Sequence, residues 1–412
     1  MQPGSGVGTI VRVLRNPNFG LYTAGSTISL VGFWSQRVAT GWLTWQLTQS
    51  GAWLGLVAFA DLFPTMLLGP FAGVAADRWD RLRVTRVTQA ASLVHAATLF
   101  ALTATGTITA PLLLVLAALL GIVAAFNQPA RLALTPALVP ADDLTSAVAI
   151  TSVVFNLARF LGPAAAGFII AAAGVPVVYA ANAVAILFFL AVLSRIRIAS
   201  TVMHEAQRTG LARDLIEGLR YTATHPGIVV VLVLMVAGNV GGRPLIELLP
   251  GFAAEVFRGG ATGLAVLTSS AGAGAVLAGV WLSSREDGRG LARILLLSTL
   301  AIALSAALFT ASERLWTGAA ILVVTGFGMA SAGIAAQTLI QTSVAPAMRG
   351  RALGIYALLF RGGPALGALV MGAAAEYVGL RPPILAGAFA VFLVFLWARF
   401  RRKPVLESLG QQ

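Results

Sequence analysis

Gly73-Val-Ala-Ala-Asp77-Arg78-Trp-Asp80-Arg81-Leu-Arg83 sets a knot of charge between two long apolar runs. A small residue at Gly73 lets a second helix come close, because no side chain holds the two backbones apart. Asp77 can accept hydrogen bonds from the unpaired amides of a neighbouring helix N-terminus. Arg78, Arg81 and Arg83 favour the cytoplasmic edge of a bilayer. The stretch reads as a tight loop joining two membrane helices.

The rest of the chain fits that reading. Of 412 residues, 58% are hydrophobic and 10% charged, with mean hydropathy +0.87. A soluble protein carries about 25% charged residues, so this composition belongs to a polytopic membrane protein. The formal net charge of +13 would suggest nucleic acid in a soluble domain. Here the basic residues are almost all arginines in short loops, so topology accounts for them and no nucleic-acid partner is expected. Cysteine is absent, and His95, His204 and His225 are too scattered for a metal cluster; no metal, cofactor or catalytic constellation is expected. The first residues have no apolar core ahead of a cleavage site, so no removable signal peptide is read.

With about 20 apolar residues per crossing, the chain divides into twelve segments: 19–47, 53–76, 84–105, 111–134, 144–173 and 176–193, then 227–257, 263–284, 291–311, 316–340, 352–377 and 382–399. Placing the N-terminus and every second loop in the cytoplasm leaves only Arg258, Arg314 and Arg381 on the opposite side, apart from four arginines inside helices. That asymmetry puts both termini in the cytoplasm, and an odd helix count would destroy it. The expected organisation is an N-terminal bundle (1–194), a cytoplasmic linker (195–226) and a C-terminal bundle (227–412). Within the linker, Leu211, Leu215, Leu219 and Thr222 recur at helical spacing, which predicts an amphipathic helix along the membrane surface. The halves read as repeats: Pro17 and Pro226, Gly55 and Gly263, and Asp80-Arg81 and Gly288-Arg289 recur at offsets of 208 or 209. The second loop copy is degenerate, with Trp281 opposite Gly73 and Arg285 opposite Asp77.

The opening stretch resembles the signature loop between helices 2 and 3 of major facilitator superfamily transporters, Gly-x-x-x-Asp-Arg/Lys-x-Gly-Arg/Lys, with Asp80 where that pattern usually has glycine. Asp77-Arg78 in this place, and Glu217-Gly-Leu-Arg220-Tyr before His225-Pro226, are similar to the enterobactin exporter-like and macrolide-efflux-like branch. The resemblance implies an all-α fold of twelve transmembrane helices in two pseudo-symmetric six-helix bundles. It further implies a cytoplasmic gate of Gly73, Asp77, Arg78, Asp80, Arg81 and Arg131, with Arg131 as the latch partner of Asp77. Arg159-Phe-Leu-Gly-Pro163 resembles the antiporter cassette of segment five, although its paired glycine is reduced to Gly167.

Ionisable groups within a bilayer cost at least a few kcal/mol each and so need a partner, water or a use. Asp61 and Glu247 are the candidate proton carriers. Arg37, Arg159, Arg243 and Arg361 are candidates for the substrate cavity, with Asn156, Asn239, Gln337 and Gln341 as uncharged hydrogen-bonding groups or helix glue. Arg243 and Glu247 are four apart and share a helix face, where they could neutralise each other; Asp61 could instead be held permanently by Arg37. Pro64, Pro163, Pro244 and Pro364 are candidate bends. His95 reads as a packed, hydrogen-bonded residue.

The expected function is a secondary active transporter of the inner membrane that exports a medium-sized amphiphile of drug or siderophore type. It would work as a monomer by alternating access, with protons as coupling ion and sodium as the alternative. Lysophospholipid translocation, a passive facilitator and a membrane enzyme stand as rivals; no nucleophile, metal cluster or phosphate loop favours the last.

Overall fold

A computed structural model describes residues 6–196, 211–285 and 290–401, and these contain helices and turns but no strand. Twelve long helices form the body. The first six are α1 (Pro17–Thr48), α2 (Gly51–Arg78), α3 (Arg81–Ala104), α4 (Ala110–Leu134), α5 (Leu144–Ala173) and α6 (Val175–Arg195). The second six are α7 (Pro226–Val256), α8 (Gly260–Ser283), α9 (Leu291–Ala311), α10 (Leu315–Ser343), α11 (Pro346–Val378) and α12 (Arg381–Phe400). A short helix, Gly6–Leu14, precedes α1, and a linker helix, Leu211–Thr224, precedes α7.

Eleven of these helices are apolar enough to cross a membrane by length and composition, and α1 is the exception. Its 32 residues reach about 48 Å, so length is ample. Its apolarity is diluted because it buries Ser26, Ser29, Ser35, Gln36 and Thr44 against the rest of the protein. Large apolar side chains such as Val94, Phe168 and Val184 instead point outwards, as expected where lipid is the solvent.

Proline in the first turn, where no intrahelical donor is lost, opens α1, α4, α6, α7, α11 and α12. The loop that opened the sequence reading is tighter than its pattern predicts. Asp80 accepts the Arg83 amide at 2.7 Å and caps α3, so the helix starts at Arg81 rather than 84 and the connection shrinks to Trp79 and Asp80. Arg81 reaches back to the Ala133 carbonyl at 3.2 Å.

The ends of the helices define an arginine-rich face, carrying Asp80, and an arginine-poor face, carrying Ser50. Towards the arginine-poor face the two bundles touch backbone to backbone. A Cβ on Gly55 would lie 2.2 Å from the Ala368 carbonyl oxygen, and one on Gly372 would lie 2.5 Å from that of Gly51. Ser50 Oγ donates to Glu376 across the same contact at 2.6 Å. Gly167 of α5 sits equally close on Ala265 of α8. Towards the arginine-rich face the bundles part: a Cβ on Gly73, Gly350 or Gly354 would meet no atom within 4 Å. The close helix approach expected at Gly73 is therefore absent, because α2 and α11 spend their contact at the other end.

The linker helix packs on α11, with Gly218 against the Arg351 backbone and Glu217 paired to Arg351 at 3.0 Å. Its buried side is Gly218 and Thr222, while Leu219 is 59% exposed. Of the predicted stripe, Thr222 is buried and Leu219 is exposed, and the small Gly218 lets the linker backbone lie on α11. The side chains of Asp77, Arg78 and residues 211–215, and the whole of 286–289, lie outside the described residues.

Candidate functional site

Arg37, Asp61 and Glu247 meet at one depth. Each lies about ten residues from the arginine-poor end of its helix, roughly 15 Å in, near the middle of a bilayer. The Arg37 guanidinium is 3.5 Å from Asp61 of α2 and 3.4 Å from Glu247 of α7. One cation therefore holds a carboxylate from each bundle. Side-chain exposures of 20%, 15% and 16% take most water away and make the attraction stronger than at a surface.

The sequence builds this junction with small residues. Gly121 of α4 lies on the Asp61 carbonyl, where a Cβ would stand 2.4 Å away. Gly162 of α5 lies under Trp34, and Ser35 donates to the Gly162 carbonyl at 2.8 Å. These contacts set α1, α2, α4 and α5 at backbone distance around the charges.

α7 delivers Glu247 from an irregular stretch. Pro244 has no amide to return to Val240, and the helix opens into wide turns over Gly238–Gly242 and again over Phe252–Val256. Arg243 N bonds to Gly238 O at 3.0 Å and Phe257 N to Phe252 O at 2.9 Å, both five residues back. Gly367 of α11 packs on the exposed Val240 carbonyl. Arg243 and Glu247 consequently do not form the ion pair their spacing predicts. Glu247 turns to Arg37, and Arg243 lies over Phe360, 5.6 Å from its ring centre.

Two cavities flank the junction. The central one, roughly 820 Å³, is bounded by α1, α5, α7, α8 and α10 and lined by Trp34, Arg37, Arg159, Arg243, Glu247 and Thr268 among others. The Arg159 and Arg37 guanidinium carbons lie 5.5 and 5.7 Å from the centre of the Trp34 ring. Among the described residues no carboxylate lies within 4 Å of Arg159 or Arg243, and neither guanidinium hydrogen-bonds to protein. The other cavity, roughly 550 Å³, lies within the first bundle between α1, α2, α3 and α4 and takes in Asp61 and His95.

The remaining expected residues are scattered. Asn156 and Asn239 donate to carbonyls four residues back in their own helices. Neither these two nor Gln337, Gln341 and Arg361 line either cavity. Of the expected gate residues, Arg131 donates to Ser26 and lies over Phe189 at 4.9 Å, so it is engaged with α1 and α6. The helices run on through Pro64, Pro163 and Pro364; only at Pro244 is the helix recast. His95 is packed as expected, between the Leu116 carbonyl at 3.0 Å and Gln36 at 3.4 Å. Sequence reasoning missed Trp34, the aromatic ring close to both Arg37 and Arg159, and the Ser50–Glu376 contact. Trp34, three residues before Arg37, was the one signal available.

Two six-helix bundles facing each other across a charged cavity, closed at one end, define a membrane transporter architecture. The chain belongs to the major facilitator superfamily, in its transmembrane secretion effector family, which matches over residues 10–412. It is 33% identical over 173 residues to the staphyloferrin A transporter of Staphylococcus aureus, covering 42% of this chain and 43% of that one; the match thus spans less than half the length of that relative. It is 24% identical over 375 residues to the enterobactin exporter EntS of Escherichia coli, covering 88% and 86%. Among solved structures the nucleoside transporter NupG superposes with a TM-score of 0.72 at 14% identity, covering 94% of this chain and 99% of that one, a likeness of fold.

Proposed function

We propose that this protein is a proton-coupled exporter of an anionic chelator of siderophore type, rich in carboxylate or catecholate oxygens, working by alternating access in the cytoplasmic membrane. The observation that carries the reading is the pair of cavity guanidiniums, Arg159 and Arg243, that hold no carboxylate among the described residues. A guanidinium fork matches carboxylate or catecholate oxygens two at a time, and Trp34 offers a face on which a planar group can stack. Two relatives named for siderophore transport support the same class.

On this reading the arginine-rich face is cytoplasmic, both termini lie there, and the conformation is the one loaded from inside. Substrate enters between the separated inner ends and settles on Arg159 and Arg243. The anionic substrate draws Arg37 from Glu247, the tie between bundles loosens, and the Gly55–Ala368 and Gly167–Ala265 contacts can part. Glu247 then takes a proton from the outer side, and gives it up to the cytoplasm when its pairing with Arg37 re-forms. Each proton returning down the membrane potential contributes about 2.3 kcal/mol per 100 mV.

Uptake by inverted vesicles of a citrate-based chelator, a catecholate chelator, a neutral macrolide and a lysophospholipid, with and without an imposed pH gradient, tests it. Gradient-driven accumulation of a chelator that Arg159→Gln lowers at least tenfold is the expected result. Accumulation of the macrolide or lysophospholipid instead, or chelator movement indifferent to the gradient, overturns it.

A further inference from the structure

The cavity inside the first bundle shares the Arg37 and Glu247 wall with the central one but receives no substrate in that transport cycle, and its charge is of opposite sign. Arg159 and Arg243 face the central cavity alone, Asp61 and His95 face the other alone, and Arg37, Gly41 and Glu247 form the shared wall. The central rim thus carries three guanidiniums against one carboxylate, and the bundle cavity two carboxylates against one guanidinium. His95 adds no charge to the balance. Its Nε2 sits 3.0 Å from the Leu116 carbonyl and so donates, while Nδ1 is left to accept from the Gln36 amide at 3.4 Å, the pattern of a neutral imidazole.

Asp61 is short of donors. Among the described residues it accepts no hydrogen bond, and its cationic partner is Arg37 at 3.5 Å, which Glu247 shares. Beyond the charged floor, Thr44 donates to the Thr40 carbonyl at 2.8 Å and keeps its oxygen lone pairs for a donor. The remaining wall is aliphatic, formed by Leu54 and Val57 of α2, Leu99 of α3, and Leu113, Leu116 and Leu120 of α4. A largely apolar pocket with one under-bonded carboxylate is a small-ligand site by its chemistry.

We propose that this cavity is a second binding site, for a compact lipophilic cation: a protonated amine on an aliphatic cage, with its ammonium on Asp61 and its hydrocarbon against α3 and α4. An alcohol of the same shape fills the space and leaves Asp61 without its counterion. A carboxylate meets two like charges.

Titration calorimetry on the full-length protein in lipid nanodiscs, corrected for empty nanodiscs, tests the assignment with adamantan-1-amine, adamantan-1-ol and adamantane-1-carboxylate at neutral pH. The amine is expected to bind at least tenfold more tightly than the alcohol, and the carboxylate not at all. Asp61→Asn brings the amine to the level of the alcohol. Ala117→Leu, which fills the wall, weakens both. Arg159→Gln leaves the amine within twofold while lowering chelator transport, so the two readings fail separately. The proposal is overturned if amine and alcohol bind alike, if the amine does not bind, or if Arg159→Gln removes amine binding and Asp61→Asn does not.

Discussion

Helices α1 and α7 hold equivalent places in the two halves, yet they are built on opposite plans. Both start on a capped proline turn, Asn16 accepting the Asn18 and Phe19 amides and His225 Nδ1 accepting that of Ile228. From there α1 runs unbroken for 32 residues and carries its polarity in side chains, with Gln36 bonded to Asn182 at 2.8 Å and to His95. α7 carries its polarity in the backbone, with wide turns on both sides of Pro244. The polar side chains fix α1 within its bundle, whereas the Val240 and Gly241 carbonyls of α7 lie against Gly367 of α11 and Gly387 of α12. Arg37 and Glu247, one position apart in the repeat register, join the fixed helix to the adjustable one. In the proposed cycle α1 is the frame of the site and α7 its moving part.

The sharpest way to break this contrast is at the joint. Arg37→Met leaves Asp61 and Glu247 without their shared cation in the bilayer, and a loss of about 3–5 kcal/mol is expected, measured as a drop in thermal unfolding midpoint in detergent. Adding Asp61→Asn and Glu247→Gln to Arg37→Met should restore most of that stability and none of the transport. Next in size is Pro244→Ala. Returning an amide to the Val240 carbonyl allows a regular turn, which removes one residue from the wide turn and rotates Glu247 by about 100°. Transport should fall about tenfold with stability nearly unchanged; full transport would show that the wide turn is not what aims Glu247. Gln36→Leu tests the frame: it strands the Asn182 donor and His95 at about 1–2 kcal/mol, and vesicle transport at low temperature should stay near wild type. Smallest is Thr40→Val, which gives up the 3.4 Å contact with Tyr179 for about 0.5 kcal/mol or less; a larger loss would mean that the α1 network, joined to α6 at Asn182, is held there at Tyr179 as well.

The architecture was legible in the sequence because hydropathy and arginine placement act over long windows, and twelve crossings survive errors of a few residues at each end. Even α1, whose polar residues dilute the signal, was caught by its length and by the charge alternation that a missing helix would upset. The ionic junction was half legible. Asp61 and Arg37 stand out as charges within apolar runs, and their pairing was foreseen as one option. The partner of Glu247 was not, since the i to i+4 rule presumes a regular helix and Pro244 abolishes that regularity. Asn156, Asn239, Gln337 and Gln341 were unreadable for another reason: an amide in a membrane helix can serve its own helix or face a cavity, and sequence spacing alone does not say which. The loop at Gly73 was read as a contact, but a glycine records only that close approach is permitted. Which end of α2 makes it depends on the conformation.

The contact of Gly51 and Gly55 with Ala368 and Gly372 has a mechanical consequence. With backbone resting on backbone and no side chain to compress, it is a fulcrum with little play, set close to one end of two long levers. From Gly372 to the first turn of α11 the helix runs about 39 Å, so a tilt of roughly 15° about that fulcrum would sweep the far end through about 10 Å, the width of a helix with its side chains. In the proposed cycle a tilt of that size at one membrane face would thereby be geared into an opening wide enough for a solute at the other.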